Sequence, residues 1–165
     1  TGNSASVISA LGGSPVAMSM PDSYQSIQKG VVNGGIYPVE TNKGWKMAEV
    51  VDYLTDSTAV AYTTTFFVVM NKDVWDSLPE EVQQVITKVS AEWIPKHGQA
   101  WDDSDAEGLE FFLQQPGNTV VSLDDAEAGR WSAAMAPIFT QYEAECAKHG
   151  VDGQALLAFM REKMK

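Results

Sequence analysis

The chain has 165 residues, 44% of them hydrophobic, which is enough for one domain with a real core. Its 22 acidic residues outnumber the 11 basic ones, and the net charge of −11 argues against a nucleic-acid partner, since phosphate binding needs clustered lysine and arginine. No apolar run approaches the ~18 residues of a membrane-spanning helix, and Cys146, the single cysteine, excludes an internal disulfide.

The N-terminal part predicts a helix, a short strand and a second helix. Apolar spacing favours a helix over 4–11, and the sequence PVAM at 15–18 predicts a short buried strand. Pro21 and Asp22 then open a helix, because proline suits the first turn and an early carboxylate complements the positive helix end. Residues 19–22 therefore form a strand-to-helix corner, a place where α/β folds often present groups to ligands.

The middle of the chain predicts a helix over 38–47 and a strand over 49–54. The run TAVAYTTTFFVVMN at 58–71 is rich in β-branched and aromatic residues and is the strongest strand signal in the sequence. Asn71 is expected to cap a short helical turn that follows it.

Long helices dominate the remainder. Pro79 starts one with an apolar stripe, and Pro95 is expected to kink it before helical character resumes over 101–113. A short strand is predicted at 118–123, and Ser122 with Asp125 resembles a capping pair for the next helix. Asp152 caps a last helix that ends in cations. The order of strands and helices indicates an α/β protein.

Two sequence blocks carry a resemblance to a known family. LGGSPVAMSMPDSYQSIQKGVVNGG at 11–35 and TFFVVMNKDVWDSLPEEVQQVI at 65–86 resemble the solute-binding proteins of TRAP transporters, the DctP-like family. The resemblance covers nearly all of this chain but only the C-terminal half of a family member. This sequence departs from the family pattern at two places that bear on the substrate. The family's VDG motif is Val32-Asn33-Gly34 here, and Tyr37 stands just before the proline that follows this motif, where the family often has a polar residue.

The resemblance implies a periplasmic binding protein fold of type II, a two-lobed α/β clamshell. It implies that 1–64 and 104–165 belong to the second lobe, and that 65–103 is a strand and long helix crossing to the first lobe, whose N-terminal half is absent. The apolar stripe from Val82 to Trp93 would then lack its cover. This chain alone is therefore expected to be oligomeric or partly molten over 66–93.

The family resemblance also implies a function. A relative of this kind captures an organic acid between its lobes in the periplasm, after removal of a signal peptide, and delivers it to a membrane permease. An arginine that grips the ligand carboxylate would lie just before Thr1. Tyr37 and the few charges near the corner suggest a less polar, aromatic or branched acid.

Four residues are candidates for ligand binding. Met20 lies at the strand-to-helix corner, where core packing is the alternative; Tyr37 offers a flat ring and a hydroxyl. Thr65 falls where the family chain nears the cleft, although a solvent-facing strand edge is equally compatible. Glu40 could receive a ligand hydroxyl or a cation, but a solvated acid at a helix start is the more common reading.

Other functions have weaker signals. Cys146 and His149 share a helix face, yet no orienting group or oxyanion site accompanies them, so a hydrolase is the least favoured alternative. His97 and its neighbouring aspartates lack a recognised ligand spacing. We therefore expect no catalytic residue, cofactor or metal. A ligand-sensing domain of a signalling protein remains an alternative, because clamshell domains also serve as sensors.

Overall fold

The computed structural model describes residues 2–58 and 67–163. The helices and strands of this part are, in chain order, α1 (Gly2–Ala10), α2 (Met20–Gln28), α3 (Thr41–Gly44), a 3-10 turn (Met47–Glu49), β1 (Tyr53–Asp56), α4 (Lys72–Ser77), α5 (Glu80–Leu113), β2 (Thr119–Ser122), α6 (Asp125–Lys148) and α7 (Gly153–Lys163). β1 and β2 pair in a two-stranded sheet.

Helix caps follow the sequence closely, with one correction. The Asn71 side chain accepts hydrogen bonds from the backbone N–H of Asp73 and of Val74, so its predicted capping role is confirmed. The start of α6 is capped by Asp124, whose carboxylate accepts from the backbone of Glu127 at 2.8 Å. The predicted pair of Ser122 and Asp125 is wrong, because Ser122 still belongs to β2.

Two predicted strands and one predicted helix differ from the structure. Residues 15–18 form no strand, and the strand predicted at 49–54 begins and ends later, as β1. The helix predicted over 38–47 is the short α3 followed by a 3-10 turn. Lys46 separates them with a φ of 59°, a left-handed conformation that no helix can continue through.

Helix α5 runs through Pro95 for 34 residues without interruption, and the kink predicted at Pro95 stays a prediction. Pro95 lacks the N–H that would bond to the carbonyl of Ala91. All of residues 87–100 are exposed, so water can satisfy that carbonyl and the helix continues.

Only part of the predicted strand at 58–71 can be compared with the structure. Residues 59–66 lie outside the described part. Residues 67–70 form no strand, and Phe67 and Val69 are 79% and 77% exposed. Strand formation needs a neighbouring strand, and among the described residues β1 pairs with β2 alone.

The described chain divides into two compact units. Unit A contains 2–23, 55–58 and 121–163, where α1 and α7 each pack against α6. Unit B contains 24–54 and 67–120, where α3 and the 3-10 turn pack against α5. The predicted division into lobes stays a prediction.

Unit B has a small but well-defined core. Its fully or nearly fully buried residues are Thr41, Asn42, Met47, Ala48, Gly108 and Phe112. Gly108 allows α5 to approach the chain just before α3, because a Cβ there would lie 2.5 Å from the carbonyl oxygen of Val39. No other residue type fits this contact without displacing backbone.

Candidate functional site

Tyr37 lies in the segment between α2 and α3, within unit B, and its side chain is half-buried. A Cβ on Gly35 would lie 3.0 Å from the Tyr37 ring, so the glycine makes room for it. Burial raises the pKa of Tyr37 to about 12. At neutral pH the phenol is therefore uncharged and can both donate and accept a hydrogen bond.

Glu40 immediately precedes α3, and its own backbone N–H fixes it in place. Its N–H donates to the Oδ1 of Asp105 on α5 at 2.9 Å. Burial, and secondly the negative charge of Asp105, raises the pKa of the Glu40 carboxyl. The same carboxylate lies against Gly44, where a Cβ would come within 2.8 Å of it.

Two further contacts involve α3. The Thr41 hydroxyl donates to the carbonyl of Pro38 at 2.6 Å, which fixes the start of the helix on the segment before it. The Lys43 ammonium pairs with Glu107 on α5 at 2.7 Å. This exposed ion pair contributes little to stability, but it joins α3 to α5 beside the contact between Glu40 and Asp105. The segment that carries Tyr37 and Glu40 is thus anchored to α5.

Asn42 is fully buried in the core of unit B. Neither its amide nitrogen nor its amide oxygen has a hydrogen-bond partner among the described residues.

Sequence reasoning missed Asn42, Asp105 and Glu107. Asn42 had no signal, because an asparagine on a short polar helix ordinarily faces solvent. The two acids belong to a charged stretch whose partners lie more than sixty positions away.

Met20 is the first residue of α2 and is half-buried in unit A. At this corner the Ser19 hydroxyl donates to the carboxylate of Asp22 at 2.5 Å, and the Ser23 hydroxyl donates to the carbonyl of Ser19. The predicted start of α2 at Pro21 is confirmed within one residue.

Of the four candidate residues, the structure joins Tyr37 and Glu40 on one anchored segment, whereas Thr65 lies outside the described residues.

The residues considered for catalysis have other contacts. Cys146 lies half-buried on α6 and is hydrogen-bonded to Tyr142, whose pKa this contact raises. His149 is exposed, with Nε2 3.4 Å from Glu145. His97 accepts a hydrogen bond from the Trp101 indole at 3.0 Å. Among residues 2–58 and 67–163, no group of His, Cys, Asp and Glu could hold a metal ion.

A shallow surface groove lies elsewhere in unit B. It is lined by Trp75, Glu80, Gln83, Gln84, Thr87 and Lys88. Met20, Tyr37 and Glu40, the candidate residues within the described part of the chain, do not line it, and its walls belong to α4 and the start of α5. No helix of the described chain is long and apolar enough to cross a membrane.

Comparison with known proteins gives a consistent match. The family model for bacterial extracellular solute-binding proteins of family 7, DctP, matches residues 2–145. Two curated relatives are each 28% identical: a solute-binding protein of Verminephrobacter eiseniae over 135 residues, and the C4-dicarboxylate-binding periplasmic protein DctP of Rhodobacter capsulatus over 131. These matches cover 82% and 79% of this chain but only 39% of either relative.

A solved structure agrees with the sequence match. A TRAP periplasmic solute-binding protein from Desulfovibrio salexigens with bound orotic acid is 27% identical, with a TM-score of 0.78. The likeness covers 95% of this chain and 49% of that chain. The predicted fold class, an α/β periplasmic binding protein fold of type II, is confirmed by this likeness.

Proposed function

Because the chain belongs to the bacterial extracellular solute-binding proteins of family 7, we propose that it captures an organic acid for a TRAP-type transporter. The match over 2–145 is the observation that carries this proposal. The chain spans about four tenths of its curated relatives and half of the matched structure, so the activity belongs to the whole protein.

A carboxylate is the proposed ligand class. The Rhodobacter relative is named for C4-dicarboxylates, and the Desulfovibrio structure holds orotic acid, which is also a carboxylate. These two acids differ in shape, so the shared group rather than the carbon skeleton supports the class. For this chain we favour a less polar acid, because Tyr37 offers an aromatic ring and an uncharged hydroxyl.

Among the proposed ligand contacts, Tyr37 has the strongest support. Its ring is held over Gly35, and its segment is fixed to α5 through Glu40 and Asp105, so the hydroxyl is preorganised. Met20, Glu40 and Thr65 are proposed as further ligand contacts. We assign no catalytic residue, since the family consists of solute-binding proteins.

The proposal places the whole protein in the periplasm. There, lobe closure would bury the ligand and a membrane permease would recognise the closed form. We propose the lobe division given by the resemblance, with 1–64 and 104–165 in the second lobe and 65–103 crossing to the first.

The role of Tyr37 is tested by calorimetric titration of the gene product that contains this chain with organic acids. Tyr37→Phe should weaken binding about 2- to 10-fold by removing one hydrogen bond, and Tyr37→Ala should weaken it further. Tyr53→Phe is the control, because Tyr53 is 71% exposed on β1. Unchanged affinity in Tyr37→Ala would remove Tyr37 from the site but leave the function standing.

A further inference from the structure

Asn33 is followed by Gly34 in the segment that joins α2 to α3. The backbone nitrogen of the residue after an asparagine can attack the side-chain amide carbon and close a succinimide ring. A Cβ on that next residue hinders the approach, and glycine has none. Of the five asparagines in the sequence, Asn33 alone precedes a glycine.

The backbone around Asn33 is free to bend into this reaction. Residues 33–37 belong to no helix or strand. None of their N–H groups donates a hydrogen bond to another described residue. Asn33 and Gly34 are both exposed, so the amide and the attacking nitrogen are open to water.

The other four asparagines are held in place. Asn3 lies within α1, and Asn42 is fully buried in α3. The Asn71 side chain caps α4, and the Asn118 amide donates to the carbonyl of Ala48 at 2.9 Å. Helical or hydrogen-bonded asparagines do not reach the geometry of ring closure, so the structure selects the same residue as the sequence.

We propose that Asn33 is a self-modification site, at which the chain converts the asparagine into aspartate and isoaspartate without an enzyme. The Gly34 nitrogen forms a bond to Cγ of Asn33. The bond from Cγ to the amide nitrogen breaks, and the amide leaves as ammonia with the proton that Gly34 loses. Water then opens the succinimide at one carbonyl to give aspartate, or at the other to give isoaspartate, whose main chain runs through the side-chain carbon.

Either product adds a negative charge to the segment that carries Tyr37. The aspartate product restores the VDG motif that the family has where this chain has Val32-Asn33-Gly34. The new carboxylate lies four positions before Tyr37, within about 14 Å even along an extended chain. A negative charge there opposes an anionic ligand, and this consequence rests on the proposed function.

The test incubates the gene product that contains this chain at mildly alkaline pH, where more backbone nitrogens lose a proton, and follows peptide masses over days. We expect the peptide with Asn33 to show the mass change of an amide becoming an acid, with isoaspartate among the products. The peptides with Asn71 and Asn118 should keep their mass.

Gly34→Ala is the matched variant. A Cβ at Gly34 meets no atom within 4 Å, and Gly34 has no positive φ, so the fold should be unchanged. The conversion of Asn33 should nevertheless slow several-fold, because the Cβ hinders the attacking nitrogen. An unchanged mass at Asn33 in the parent protein, or an equal rate in Gly34→Ala, would overturn the proposal.

Calorimetric titration of Asn33→Asp with organic acids is a separate readout. Affinity should fall about 2- to 5-fold through charge repulsion. Equal affinity would overturn the effect on the ligand and leave the modification standing. Failure of the unmodified protein to bind any acid would contradict the proposed function alone.

Discussion

Tyr37 combines a half-buried ring with a phenol whose pKa burial raises from 10.0 to about 12. Such a hydroxyl stays neutral and directional throughout the physiological pH range, as a hydrogen-bond donor to a carboxylate should. Glu40 lies three positions away and has its own pKa raised, so the segment disfavours additional negative charge. A ligand carboxylate near Tyr37 therefore needs a cation from another part of the protein.

The Tyr37 pKa gives a pH prediction with a definite sign. Because the folded pKa lies above 10.0, the native state keeps a proton that the unfolded chain has lost. The stability present below pH 10 should fall as the pH rises towards 12. Tyr37→Phe should abolish this part of the loss in stability. In a spectroscopic titration of the folded protein, the variant should lack the tyrosinate absorbance that appears near pH 12.

A Tyr37 that titrates near 10.0 would contradict the burial of its ring. Tyr53→Phe is the matched control, because exposed Tyr53 has no comparable burial.

Asn42 supplies a second residue-scale prediction. Burying an amide without a partner costs about 1–3 kcal/mol, and a leucine has nearly the same shape without that cost. Asn42→Leu should leave the free energy of unfolding unchanged or raise it by about 1 kcal/mol in urea denaturation. Asn42→Asp should lower it by several kcal/mol, since a charge is then buried. A large loss in Asn42→Leu would mean that the amide is satisfied after all.

At the scale of elements, α5 organises unit B. Its C-terminal half carries Asp105, Glu107, Gly108 and Phe112, which receive α3 and its preceding segment. Its N-terminal half carries exposed apolar side chains, among them Val85, Trp93 and Ile94. One helix thus anchors the candidate ligand segment at one end and presents uncovered apolar side chains at the other.

Gly108 and Gly98 make a matched pair of tests on α5. Gly108→Ala should lower the free energy of unfolding by about 1–3 kcal/mol, because its Cβ would meet the backbone of Val39 and Glu40. Gly98→Ala should raise it by about 0.5–1 kcal/mol, because nothing lies within 4 Å of that Cβ and alanine favours the helix. Urea denaturation of both variants measures the two effects. Equal effects in the two would contradict the close approach of α3.

The sequence predicted helix starts, caps and strands well where the residues that they pair with belong to the described chain. The Asn71 cap, the start of α2 and the strand near Thr119 depend on neighbours within a few residues or on one nearby strand. The segment 67–70 reads as a strand but is not one, because strand formation depends on a partner that sequence propensity does not supply. Asn42 and Asp105 were missed because their roles arise from contacts distant in sequence.

At the scale of the whole molecule, the family match over residues 2–145 supports the proposed function. The chain carries a segment with Tyr37 that is anchored to α5 through Glu40 and Asp105, and this segment is the proposed ligand contact. Recognition of a carboxylate group is the claim on which the function depends.

The most direct test is calorimetric titration of the gene product that contains this chain, with succinate, orotate and aromatic or branched acids, each beside its neutral amide. The account predicts that at least one acid binds roughly 10- to 100-fold more tightly than its amide, as expected when a charged hydrogen-bonded pair is lost. Equal affinity for acid and amide, or no binding of any acid by the folded protein, would contradict it.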